Sequence, residues 1–176
     1  MRLKFTKVPL YLGMVVLLLS LLVAASSLGN KSPTLLTRSS ANIDKAIVSL
    51  SPQNGSYNLN EAVDMGMTFS SDEPINGSDV IINFKPEIVD IQESQVLPGN
   101  LFSLAYVKVD QETGKLTATL ISKNKTGEKS GILLRFQLRG KAPAESRIEI
   151  DKNTKLVNMD GTELSTDFKT SQITFQ

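Results

Sequence analysis

The chain has 176 residues, 40% hydrophobic, 21% charged and 6% aromatic, which is enough apolar material for a core and too much for disorder throughout. Cysteine and histidine are both absent, which excludes disulfides, thiol nucleophiles, Cys/His zinc sites, histidine acid–base catalysis and an acylated-cysteine anchor. The net charge of +1 hides an asymmetry: Arg2, Lys4 and Lys7 precede residue 31 with no acid, so the rest is net −2 (16 basic against 18 acidic) and has no electrostatic footprint for nucleic acid.

Residues 1–28 open with a short basic stretch and continue through an apolar run, Val8 to Ala25, broken by Pro9, Gly13 and Ser20. Two readings stay open. A signal peptide would be cleaved near Ala24-Ala25, where small residues have the needed spacing. A signal anchor would keep residues 8–25 as a membrane helix at the short end of spanning length. In both, the basic flank stays inside and the rest of the chain is expected outside the cytoplasm, secreted or membrane-anchored. Residues 29–43, rich in Ser, Asn, Thr and Lys with Pro33, read as a flexible linker.

From residue 44 to 176 the pattern is that of strands. Ala46, Val48 and Leu50 alternate in a first strand. Ser51 to Gly55 reads as a loop. Val63, Met65, Met67 and Phe69 form a second. Ser71-Asp-Glu-Pro74 and Asn76-Gly77 punctuate. Val80, Ile82 and Phe84 alternate with Ile81, Asn83 and Lys85 in a third, which Pro86 ends because it lacks an N–H. Val89 and Ile91 make a short fourth. A fifth spans Ser103 to Val109, and Gln111 to Gly114 is a hairpin-like break. Leu116, Ala118 and Leu120 face one way in a sixth, with Thr117 and Thr119 opposite. Ile132, Leu134, Phe136 and Leu138 mark a seventh, Ile148 and Ile150 an eighth, and Ile173 and Phe175 a ninth. Nine short strands with Gly, Pro and Asn between them predict an all-β antiparallel sandwich, each sheet wet on one face.

Motifs for chemistry are few. Asn158-Met-Asp160-Gly161 resembles part of a calcium loop, but the first ligand position would fall on Leu156, so a tight turn is expected and no metal site. The carboxylates are scattered, and there is no Gly-x-Ser-x-Gly, so no enzyme and no cofactor is expected. Without Trp, a sugar-binding strip would need Tyr57, Phe102, Tyr106 and Phe168 exposed together; Phe69, Phe84 and Phe136 fall on apolar faces and are expected in the core. Asn-x-Ser/Thr at Asn30, Asn54, Asn76 and Asn124 is the chance product of polar turns. What remains is a polar surface on the outward strand positions: Asp79, Asn83, Thr117, Thr119, Arg147 and Glu149.

The ordered motifs resemble the cohesin domain, the receptor module of cellulosomal scaffoldins and related surface proteins. They are Val48-Ser-Leu-Ser-Pro52 with Asn54-Gly55, Gly77 to Pro86 with Ile88-Val-Asp-Ile91, Pro98-Gly99 with Phe102, Ser130 to Gly140, and Val157 to Gly161. The resemblance implies a nine-stranded jelly roll, related in fold to some carbohydrate-binding modules and without catalytic activity. It also implies that a dockerin module docks on the sheet of the third, fifth, sixth and eighth strands, where Asp79, Asn83, Thr117, Thr119, Arg147 and Glu149 lie. Asp79 matches an acidic position on the family's binding strand. The sequence departs from the family at Lys85, where Asp is usual before the proline, and it carries one module with no accompanying enzyme. The implied role is surface attachment or polysaccharide degradation through a protein partner. Two alternatives are a carbohydrate-binding module for polysaccharide and a structural subunit of a surface assembly.

Overall fold

The computed structural model describes residues 45–176. The apolar segment, its cleavage or membrane anchoring through residues 8–25, the hydrophobic helix and the linker all lie outside the described residues. Among the described residues, no helix is long and apolar enough to cross a membrane. The architecture is all-β, with one 3-10 turn at Glu93–Gln95. The strands are β1 (Lys45–Ser51), β2 (Asn54–Tyr57), β3 (Ala62–Asn83), β4 (Val89–Asp90), β5 (Leu97–Pro98) and β6 (Phe102–Asp110). There follow β7 (Lys115–Ser122), β8 (Glu128–Gly140), β9 (Glu145–Ile150), β10 (Lys155–Asn158), β11 (Ser165–Lys169) and β12 (Ser171–Phe175).

Twelve strand segments stand where nine are expected. The second and third expected strands are one 22-residue strand, β3. Its first half, Ala62 to Ser70, pairs antiparallel with β1 and β8. Its second half, Gly77 to Asn83, pairs with β10 and β9 on one side and β7 on the other. The expected turn at Ser71–Pro74 is a bulge. Ser70 lies opposite Ser130 and Ile75 opposite Glu128, so β3 spends five steps where β8 spends two. Extra residues in one strand bend it, and the bend carries β3 from one layer to the other. Pro74 is tolerated there because a bulge leaves residues out of the ladder.

The first layer runs β11–β1–β3–β8, with β4 and β5 beyond β8. The second runs β2–β12–β9, then the second half of β3 flanked by β9 and β10, then β7 and β6. The sheets are not wholly antiparallel, because β1 pairs with β11 and β12 with β2 in parallel. Those parallel pairs join segments distant in sequence, which a hairpin cannot do.

The inner faces are apolar in the period-2 pattern. Val48, Met65, Met67, Phe136 and Leu138 come from the first layer; Val80, Ile82, Leu116, Ala118, Ile148 and Ile173 come from the second; all are buried. Phe69 and Phe102 meet across the layers with ring centroids 5.8 Å apart, edge to face. Phe69, Phe84 and Phe136 are in the core as expected. The expected break at Gln111–Gly114 is present, and Gly114 has φ +66°, with the Phe84 carbonyl oxygen 2.1 Å from where a Cβ would stand. Its own carbonyl accepts from the Phe84 N–H at 2.8 Å, fixing the end of β3.

Two buried hydroxyls, Ser78 Oγ and Ser146 Oγ, have no hydrogen-bond partner among the described residues. A buried hydroxyl without a partner costs desolvation energy and returns nothing. Ser146→Ala is therefore expected to raise stability by about 1 kcal/mol. The midpoint of urea unfolding at unchanged slope measures it.

Candidate functional site

The six outward residues named from the sequence lie on the second layer and face solvent: Asp79 and Asn83 on β3, Thr117 and Thr119 on β7, Arg147 and Glu149 on β9. Strand register places them in rows. Lys155, Asp79, Thr119 and Tyr106 lie side by side on β10, β3, β7 and β6. Two residues along, Ile81, Thr117 and Lys108 form the next row, and Glu149, Asn83, Lys115 and Asp110 the one after. In the opposite direction, Val157, Gly77, Ile121 and Ser103 form the last row.

The polar members are held by one another. Thr119 Oγ1 donates to Asp79 Oδ1 at 2.8 Å. Asn83 Nδ2 donates to Asp151 Oδ2 at 2.9 Å. Arg147 Nε and Glu149 Oε1 form an ion pair at 2.8 Å, and Lys155 Nζ pairs with Glu163 Oε2 at 2.9 Å. Both pairs are about half exposed, so they position side chains more than they stabilise the fold. The backbone N–H of Asn153 and the Asn83 amide hold the Asp151 carboxyl below its ordinary 3.8. A depressed carboxylate pKa stabilises the fold above the ordinary range and loses that contribution as pH falls below 3.8 through the lowered value. Lys155 is shifted up from 10.5, chiefly by its hydrogen bond to Glu163, so its pairing is full below that value and lost only at higher pH.

Between β9 and β10 the chain makes a turn, Asp151 to Thr154, and the ladder on β3 has a gap. The buried Thr154 hydroxyl fills it, accepting from the Ile81 N–H at 2.9 Å and donating to the Ile81 carbonyl at 3.1 Å. The Asp151 N–H donates to that carbonyl at 2.9 Å. The face is thus continuous across a chain reversal. Beside it, Asn83, Phe84, Lys85, Glu145, Arg147 and Glu149 line a shallow recess of about 400 Å³.

Sequence reasoning did not include Tyr106, Ile121, Ile81, Val157 and Lys155 in this face. Tyr106 and Ile121 are each about half exposed. Ile81 and Ile121 alternate in phase with Asp79 and Thr119, so period 2 alone places them outward. Val157 and Lys155 needed β10, which has only four residues.

The other chemical readings resolve against the geometry. Asp160-Gly161 is a turn with Gly161 at φ +80°. Asn158 Oδ1 accepts from the N–H groups of Asp160 and Thr162, so this amide closes the turn. Among the described residues no group of three or more acidic, His or Cys side chains is placed to hold a metal. The possible sugar-stacking aromatics do not form a platform. Phe102 is fully buried, Tyr57 packs on Phe175, and Phe168 packs partly against the core, which leaves Tyr106.

No protein-family model matches the sequence, and no curated protein matches it. Solved structures do match in fold. A non-cellulosomal cohesin from the hyperthermophilic archaeon Archaeoglobus fulgidus superposes with TM-score 0.61 at 10% identity, over 75% of this chain and 91% of that one. The cohesin of a type I cohesin–dockerin complex from Clostridium thermocellum gives 0.58 at 13%, over 76% and 94%. A type II cohesin–X-dockerin complex from Acetivibrio cellulolyticus gives 0.62 at 10%, over 76% and 99%. At such identities the likeness concerns the backbone alone, and residues 45–176 have the fold of the cohesin domains.

Proposed function

We propose that residues 45–176 form a non-catalytic, extracytoplasmic module that docks a protein partner of the dockerin type on the outer face of β9, β10, β3, β7 and β6. The context is surface attachment or polysaccharide degradation. The observation that carries this reading is the mutually hydrogen-bonded polar set Asp79–Thr119 and Asn83–Asp151, held in the middle of a solvent-facing sheet with Tyr106 and Ile121 beside it. Pre-positioned polar groups beside exposed aromatic and aliphatic ones are what a protein interface uses. Cohesins of this fold have been solved in complex with dockerins, which supports a partner of that type. A polysaccharide partner is less favoured, because among the described residues Tyr106 has no second exposed aromatic to share a sugar chain with. A structural subunit would self-associate through the same face.

The test is capture. The full chain in mild detergent is immobilised and exposed to the secreted and surface fractions of its source. Capture of a protein with duplicated calcium loops, released by chelator, is the expected result. The double variant Asn83→Ala/Thr117→Ala is expected to weaken that binding by at least about tenfold. Binding unchanged in the double variant removes this face from consideration; capture of polysaccharide alone replaces the protein partner.

A further inference from the structure

The outer face of the first layer carries a depression of its own. Gly66 on β3 lies between Ser51 on β1 and Arg135 on β8, and Leu97 on β5 lies beyond Arg135. All four stand at outward positions, flanked along their strands by the buried Leu50, Met65, Met67, Leu134, Phe136 and Val96. A Cβ on Gly66 would meet no atom beyond its chain neighbours within 4 Å, so the row has an open floor at that point. The rows two residues away form the sides, Asp64 with Gln137 and Thr68 with Ile132. With Pro52 at one end and Leu97 at the other, these residues line a trough of about 490 Å³, the size of a ligand site. It crosses β1, β3, β8 and β5, which is three strand spacings or about 14 Å.

We infer that this trough is a second binding site, and that its occupant is an extended peptide segment of a partner carrying Asp or Glu two residues from Leu, Ile or Val. The acid follows from Arg135, whose guanidinium has no ion pair among the described residues. The one acid in the lining, Asp64, accepts from Gln137 Nε2 at 2.8 Å through Oδ1, which leaves Oδ2 as an acceptor for a ligand N–H. A free guanidinium beside apolar groups takes a carboxylate in a two-point grip. The aliphatic residue follows from Leu97, which is 56% exposed, together with Ile132 and Pro52. The extended form follows from the width. Asp64 and Thr68 are four strand residues apart, about 14 Å at the backbone, and their side chains narrow the floor to less than the 10–12 Å or so of a helix with side chains. An extended chain is narrower and turns every second side chain into the trough at intervals of about 7 Å, which puts an i, i+2 pair within reach of Arg135 and Leu97. β3 and β8 are paired on both sides here, so the peptide rests on side chains and adds no strand. A sugar chain lacks a stacking partner, because Tyr106, the exposed aromatic among the described residues, is on the other layer. Residues 29–43 of this chain do not match the charge, having Lys31 and Arg38 and no acid. The trough and the proposed docking face lie on opposite layers, so one stays open while the other is occupied.

The experiment is a selection. A library of linear random peptides displayed on phage is selected on the full chain in mild detergent. Enriched peptides are expected to share Asp or Glu two positions from Leu, Ile or Val. A labelled synthetic copy, titrated by fluorescence anisotropy, should bind Gly66→Leu, which fills the floor, and Arg135→Gln at least about tenfold more weakly than the parent. Exchanging the acid of the peptide for its amide should cost a similar factor against the parent and nothing further against Arg135→Gln. The space over Gly66 is open, so leucine there displaces no neighbour, and Arg135→Gln tests the same site through an exposed side chain. No enrichment, or a consensus peptide that binds both variants as tightly as the parent, overturns the inference. Binding of polygalacturonate, lost in Arg135→Gln and without peptide enrichment, overturns the occupant in favour of an acidic polysaccharide. A synthetic peptide of residues 29–43 that binds the parent and not Gly66→Leu overturns it in favour of the chain's own segment.

Discussion

Phe102→Ala is expected to lower stability by about 3–5 kcal/mol, the usual cost of emptying a fully buried aromatic site. Phe102 begins β6, has no exposed surface, and meets Phe69 edge to face. Phe69 belongs to the half of β3 in the first layer, and β6 belongs to the second. The ring therefore joins the two layers, and its loss opens a cavity between sheets that have limited freedom to collapse. Near it, Gly131 and Leu101 pack closely, so smaller neighbours cannot easily fill the space. For a domain of this size the loss corresponds to a fall of roughly 10–20 °C in Tm. Tyr106→Ala, four residues along the same strand, exposes no core and should change Tm by no more than about 2 °C. Thermal unfolding of the two variants side by side checks the pair. A Phe102→Ala protein as stable as the parent would show that the layers do not depend on this contact.

The contrast between these two aromatics shows what could be read in the sequence. Strict alternation located the long core strands well: β1, β7, β8, β9 and the end of β12 all lie where buried residues recur every second position. Phe102 escaped because it stands just before the fifth expected strand, Ser103 to Val109, where no alternation assigns it to an apolar face. The continuity of β3 escaped for the same reason. Ser71 to Pro74 and Asn76-Gly77 have turn chemistry, and at a bulge the chain uses that chemistry to bend without ending the strand. The missed strands are short or weakly apolar. Asn54-Gly-Ser-Tyr57 looks like a turn, Leu97-Pro98 contains a residue without an N–H, and Ser165 to Lys169 is an edge strand without a fully buried residue. They exist because long-range partners complete their ladders, β12 for β2 and β1 for β11, and such pairing leaves no local periodicity. The candidate face was legible in part. Outward positions on long strands gave six of its polar residues. Its apolar margin was not singled out, because an exposed isoleucine looks in sequence like a core residue.

Thr154→Val is expected to cost about 2–3 kcal/mol in stability, because it keeps the shape of the side chain and leaves a buried backbone N–H without a partner. Thr154 is almost fully buried in the turn between β9 and β10. Its hydroxyl both accepts from the Ile81 N–H and donates to the Ile81 carbonyl, standing in for a strand residue in the gap between β9 and β10 on that side of β3. The carbonyl retains the Asp151 N–H; the Ile81 N–H retains nothing. The consequence extends to the proposed docking face. Lys155 follows Thr154 directly and sits opposite Asp79, and Val157 sits opposite Gly77. Releasing the turn loosens the register of β10 against β3, so partner affinity should fall by at least about fivefold although no face residue is changed. Thr154→Ser restores the hydroxyl and is expected to recover most of both losses. Urea unfolding of the two variants measures the first effect, and titration with the captured partner the second. Should valine lower stability while leaving affinity untouched, β10 would be a support for the sheet and the docking surface would end at β3.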